Sequence, residues 1–212
     1  ITVAETALQQ NKKSFQDEIQ KSSSAILGNA FFRLNDFAKA AENLETFFKY
    51  ANAEDRYNVH MFTMAISYDI LGDRSRALSN YKRVRQDFIN ERDGELEKFF
   101  YRYAKERLEA PLRQYDKDLI YAMNYRESGK HKEAISKYES MLANKDHLKS
   151  GTEDDKIRLF HNLGLTYSYE KQNDKAIEYF FKCLTIEPET ELWLVPHSYF
   201  ELGKIYYVLG NK

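Results

Sequence analysis

Residues 161–189 read HNLGLTYSYEKQNDKAIEYFFKCLTIEPE, and this stretch decides the fold. Helical spacing puts Leu163, Gly164 and Tyr167 on one face of a first helix, and Ala176, Phe180 and Cys183 on one face of a second. The polar run Lys171-Gln172-Asn173-Asp174 makes a turn between them, and Pro188 stops the second helix. Gly164 and Ala176 are small enough to let the two helices approach closely. Tyr167 and Phe180 fill the space beside the contact. The expectation is a short antiparallel helix pair.

The pattern recurs. With Tyr167 as anchor, a small residue lies three before it, Ala nine after it and a large residue thirteen after it. Phe31 repeats this with Gly28, Ala40 and Leu44; Tyr68 with Ala65, Ala77 and Tyr81; Tyr125 with Ala122, Ala134 and Tyr138. Tyr206 has Gly203 before it and opens a further unit. This order of large, small and aromatic positions with a closing proline resembles the tetratricopeptide repeat. The resemblance covers nearly the whole chain. It implies an all-α, right-handed α-solenoid of helix-turn-helix repeats, irregular here because successive anchors lie 37, 57, 42 and 39 residues apart, against a regular period of about 34.

The irregular spacings set the domain organisation. Residues 1–19 are expected to be a leading or capping helix, with Val3, Ala4, Ala7 and Leu8 on one side and a break possible at Asn11–Ser14. Residues 20–90 hold two repeats, with Asp36 and Asp73 placed to cap the second helices. The long third interval is an inserted helix within 91–113, where Leu96, Phe99, Phe100, Tyr103 and Leu108 form an apolar stripe ending at Pro111. That stripe must be buried on the solenoid or on a partner. Residues 114–212 hold two further repeats and the first helix of another, with a polar loop at 144–155 and a connection in which Trp193, Leu194 and Val195 tuck against the last helices. The final helix has no second helix to cover it, so a fragment of a longer array, or an end covered by another chain, is expected.

Composition narrows the function. A formal net charge of −1 over 212 residues gives no global attraction to nucleic acid or to a membrane surface, and no run of 18 apolar residues spans a bilayer. The single cysteine, Cys183, makes no internal disulfide and no CxxC site, and reads as a small buried thiol. With no Asn-x-Ser/Thr sequon, this fits a reducing compartment such as the cytoplasm, and a bacterial periplasmic protein would look the same. No phosphate-binding glycine loop, HExxH or GxSxG motif is present. The histidines at 60, 131, 147, 161 and 197 are scattered over different units. No cofactor, metal or catalytic residue is expected, and the chain does not read as an enzyme.

The expected function is therefore protein binding. In stacked helix pairs the first helix of each unit lines the concave face. Positions six before, two before, one after and two after each anchor point into it. These include Asn29, Phe32 and Arg33; Phe62 and Ile66; Leu119, Met123 and Arg126; His161, Leu165 and Tyr169; Phe200 and Lys204. The lining is apolar for a surface. It suits a partner peptide or amphipathic helix anchored at Phe62, Ile66, Leu119, Met123 and Leu165. Equally, the helix at 94–109 or the residues around Trp193 could fold back and fill it.

An alternative is an architectural or self-associating module acting through the inserted helix and the open C-terminal end. The carboxylate clamp of tetratricopeptide co-chaperones is disfavoured: of the matching positions Ala25, Asn29, Thr63, Asp116 and Ile120, only Asn29 has the right side chain. The basic run Arg74, Arg76, Lys82, Arg83 and Arg85 meets Glu42 and Glu45 rather than basic neighbours, and reads as a solvated face. The segments EKFFYRYAKERL and WLVPHSYFELG look somewhat like a eukaryotic tetratricopeptide family linked to inclusion-body clearance and lipid droplets. That likeness is confined to the insert and the last residues and carries no function here.

Overall fold

The computed structural model describes residues 2–51, 58–86, 94–144 and 151–210, with backbone alone at 2–11, 85–86 and 94–98. The faces expected at Val3, Ala4, Ala7, Leu8 and Leu96, and residues 145–150 of the 144–155 loop, therefore lie outside the described side chains. The described residues are helical, without strands. They fall into two compact units, 1–112 and 113–212.

The first unit holds α1 (Thr2–Arg33), α2 (Phe37–Tyr50), α3 (Asn58–Ile70), α4 (Arg74–Gln86) and α5 (Gly94–Glu109). The second holds α6 (Gln114–Glu127), α7 (His131–Ala143), α8 (Glu153–Tyr169), α9 (Asn173–Leu184) and α10 (Leu194–Val208). Within each unit, consecutive helices pack on one another, as repeats require. The break considered near Asn11 does not occur: the leading segment runs on into the first repeat as one 32-residue helix, α1.

Each paired turn is built the same way. The residue four after the anchor takes positive φ: Asn35 at 63°, Gly72 at 84°, Gly129 at 76° and Lys171 at 57°, with Gly210 at 75° after the last anchor. The next residue then donates its N–H to the anchor carbonyl, at 2.9 Å from Asp36 to Phe31, 2.9 Å from Asp73 to Tyr68, 2.8 Å from Lys130 to Tyr125 and 2.9 Å from Gln172 to Tyr167. This closure satisfies a carbonyl that the helix end leaves free. Asp36 and Asp73 accept from the N–H groups of Lys39 and Arg76, so both expected caps are present.

The small position three before the anchor meets the large residue thirteen after it. A Cβ built on Gly28 would stand 2.6 Å from Leu44 Cγ, and one on Gly164 would stand 3.0 Å from Phe180 Cε1. Around these contacts Leu44, Tyr81, Tyr138, Leu163, Tyr167 and Phe180 are fully buried, and Tyr68 nearly so. The anchor tyrosines also tie one pair to the pair before it: the Tyr68 hydroxyl donates to Glu45, and that of Tyr167 to Glu139 at 2.5 Å. A cation eight after the anchor lies over its ring at Lys39, Arg76 and Lys175. Arg76 is thereby accounted for as a cover for Tyr68.

Leu27, four before its anchor as Leu163 is before Tyr167, is 46% exposed. Its counterpart Leu163 is buried among α6 and α7 side chains. Phe31, Leu78, Tyr125 and Tyr206 are half-buried.

Gly164→Ala should destabilise by about 1 kcal/mol, because overpacking costs about 1–3 kcal/mol and exceeds the helix-propensity gain of about 1 kcal/mol. Gly203→Ala, at the same position of the last unit with nothing within 4 Å, should stabilise by up to about 1 kcal/mol. Urea denaturation of both variants checks the opposite signs. Lys171→Gly should raise stability by about 0.5–1 kcal/mol by relieving a left-handed lysine, seen as a higher denaturation midpoint.

Candidate functional site

In the first unit the inserted helix settles where its own apolar stripe goes. Phe100 and Ala104 are buried, and Phe62 of α3 packs against the Phe100 ring at 5.1 Å and the Tyr103 ring at 6.5 Å. A polar staple holds α5 in place. Arg74 donates to the Arg107 carbonyl and, at 3.1 Å, to buried Asp69, which also accepts from Tyr81 at 3.3 Å. Phe62 and Ile66 are accordingly 6% and 9% exposed. Of the other positions on this side, Asn29 meets the His60 ring at 3.2 Å, Phe32 packs edge-on to Phe37 at 5.4 Å, and Arg33 is exposed.

In the second unit the first helices of successive pairs are α6, α8 and α10. Leu119 is buried, with Met123 and Leu165 half-buried against the same core cluster. Arg126 reaches from α6 to Asn162 of α8 at 2.5 Å. His161, 2% exposed, shares a hydrogen bond with His197 of α10, Nε2 to Nδ1, at 2.8 Å. Burial, then the neighbouring His197 and Arg126, pushes His161 down to about 3. Tyr169 stacks on His131 at 5.4 Å yet stays 59% exposed; Phe200 is 61% exposed and lies beneath the Lys204 ammonium at 5.4 Å. Of the connection before α10, Leu194 is buried with Ile157, Cys183 and Ile186, while Trp193 remains 54% exposed beside His161 at 6.0 Å. Trp193 is a member of this face that reasoning from the anchor positions omitted, because it precedes the helix on which they were counted.

The face rests on a charged framework at its foot. Arg113 donates to Asp155 at 2.9 Å through both terminal nitrogens and to Asp116 at 2.7 Å. Asp155 also completes a capping box with Thr152 and accepts from Arg158 at 2.9 Å. Asp154 takes the backbone N–H groups of Thr190 and Glu191, which fixes the connection into α10. Burial alone would raise the Asp155 carboxyl, but the Arg113 hydrogen bonds and charge hold it below the ordinary carboxylate value.

Among the described residues no group of three His, Cys, Asp or Glu side chains could hold a metal ion, and no helix is long and apolar enough to cross a membrane.

The geometry defines a protein of stacked helix pairs. Residues 157–190 match the tetratricopeptide repeat family. A thermophilic tetratricopeptide protein of Thermus thermophilus is similar in structure, with 19% identity, a TM-score of 0.35, and coverage of 86% of this chain and 98% of that one. MamA is similar at 20% identity and a TM-score of 0.30, covering 78% and 91%. No curated protein matches the chain. The tetratricopeptide fold is commonly a protein-interaction scaffold and generally non-enzymatic.

The Asp155 carboxylate gives a pH-dependent prediction. A carboxylate held low in the folded state contributes stability that is fully present above its unfolded value, about 4, and is lost as pH falls through the folded value. Arg113 is half-exposed, so water screens part of the pair. Arg113→Gln should cost about 2 kcal/mol at pH 7 and flatten the loss of stability below about pH 4, as measured by urea denaturation at a series of pH values.

Proposed function

We propose that the chain is a non-catalytic interaction module whose second unit binds an extended or helical partner segment on the α6–α8–α10 face. The observation that carries this reading is the exposure of Tyr169, Trp193 and Phe200 on that face, with Lys204 beside Phe200. Large carbon-rich side chains left in water gain free energy when a partner covers them. Aromatic groups with a neighbouring cation also make strong interface anchors. The corresponding face of the first unit differs, since α5 packs on Phe62 and Ile66 is buried; there the candidates reduce to Asn29, Phe32 and Arg33. On α6, Met123 and Arg126 support the face more than they offer surface.

A second reading, self-association through α10, draws on Tyr207 and Val208, which are 84% and 77% exposed. Light scattering over a range of dilutions separates the two: a mass that rises with concentration supports self-association.

The test of the first reading compares the native chain with Tyr169→Glu/Phe200→Glu. Both positions are exposed, so circular dichroism should be unchanged. The partner captured by the native chain should bind the variant at least about tenfold more weakly, a loss of about 1.4 kcal/mol. Equal binding would rule the face out.

A further inference from the structure

We propose that the His161–His197 pair, backed by Glu201, is a proton-responsive latch that sets the charge of the α10 face beside Trp193. As regulation of the binding face it rests on the reading above; its chemistry does not.

His161 Nε2 and His197 Nδ1 stand 2.8 Å apart, so in the neutral pair one ring donates the single proton between them and the other accepts. The next proton must enter one ring, and the two surroundings are unequal. His161 is buried, edge-on to Phe180 of α9 at 5.7 Å, and Arg126 of α6 opposes a charge there. The His197 side chain is 37% exposed, and its other nitrogen, Nε2, lies 3.9 Å from Glu201 Oε1. The Trp193 and Phe200 rings stand 5.7 and 6.0 Å from it, within cation–π reach of about 6 Å.

An imidazolium at His197 would donate Nδ1–H to His161, whose own proton then sits on Nδ1, and would direct Nε2–H toward the Glu201 carboxylate. The remaining charged groups have defined roles. Lys204 shares Glu201 at 2.9 Å and opposes the new cation. Glu191 holds the Trp193 Nε1–H at 2.8 Å. Cys183 of α9, a thiol that burial pushes up to about 12, stays uncharged beside Ser198. Protonation therefore adds a second cation next to Lys204 on the stripe of Trp193, His197 and Phe200. A partner carrying a carboxylate gains from it, and one carrying a cation loses.

Trp193 is the single tryptophan, and a protonated imidazole against an indole quenches its emission. The free chain should be titrated from pH 8 to pH 5, the range in which imidazoles as a class change charge, with circular dichroism to confirm a constant fold. The native chain should lose Trp193 emission along a single-proton curve. His197→Gln should abolish the loss, and Glu201→Gln should move the inflection down by about half a pH unit or more. Proton NMR of the native chain needs no substitution: the His161 ring should keep its chemical shifts over this range. A flat native curve, a loss that survives His197→Gln, or titration of His161 in that range would overturn the latch. Such a failure leaves the binding-face reading standing, because the titration uses no partner.

Discussion

The contact between a small residue on the first helix of a pair and a large one on the second is the constraint on which the structure depends. Leu44 fills the space that Gly28 leaves, and Phe180 the space that Gly164 leaves. That contact fixes how close the two helices come, and the left-handed residue four after the anchor fixes the turn between them. Once both are set, the anchor aromatic has one place to go, against the preceding pair, where Tyr68 and Tyr167 each find a glutamate. The repeat propagates through side chains whose positions are all counted from the anchor.

This is why so much of the fold was legible. Residue type at fixed spacing located the pairs, the turn that follows Tyr167, and the aspartate caps at Asp36 and Asp73. The rest depended on neighbours that spacing does not encode. Leu27 and Leu163 are equivalent by count, yet one is exposed and the other buried. Asn35 and Lys171 take positive φ without being glycine, so composition did not announce the shared turn. The apolar stripe of α5 was plain from Phe99, Phe100 and Tyr103, but its destination was open between solenoid and partner. The choice is set by Arg74, which joins Asp69 to the end of α5.

The candidate site was legible to a lesser degree, because positions equivalent by count are not equivalent in surroundings. Phe62 and Phe200 fall on the same face of their respective first helices, yet one is 6% exposed and the other 61%. The inserted helix makes that difference in the first unit. In the second, the connection pinned by Asp154 brings Trp193 beside His161 without closing over Tyr169 or Phe200. The His161–His197 bond was out of reach of the sequence, since the two residues lie 36 apart on different helices.

Hydroxyl-radical footprinting of the chain, free and with its captured partner, tests whether the partner sits on the first-helix face of the second unit. Tyr169, Trp193 and Phe200 should be oxidised in the free chain and protected in the complex, while Phe181, exposed on α9, should be oxidised equally in both. Protection of Phe181 with no change at Tyr169 and Phe200 would put the partner on the outer helices and rule the proposed face out.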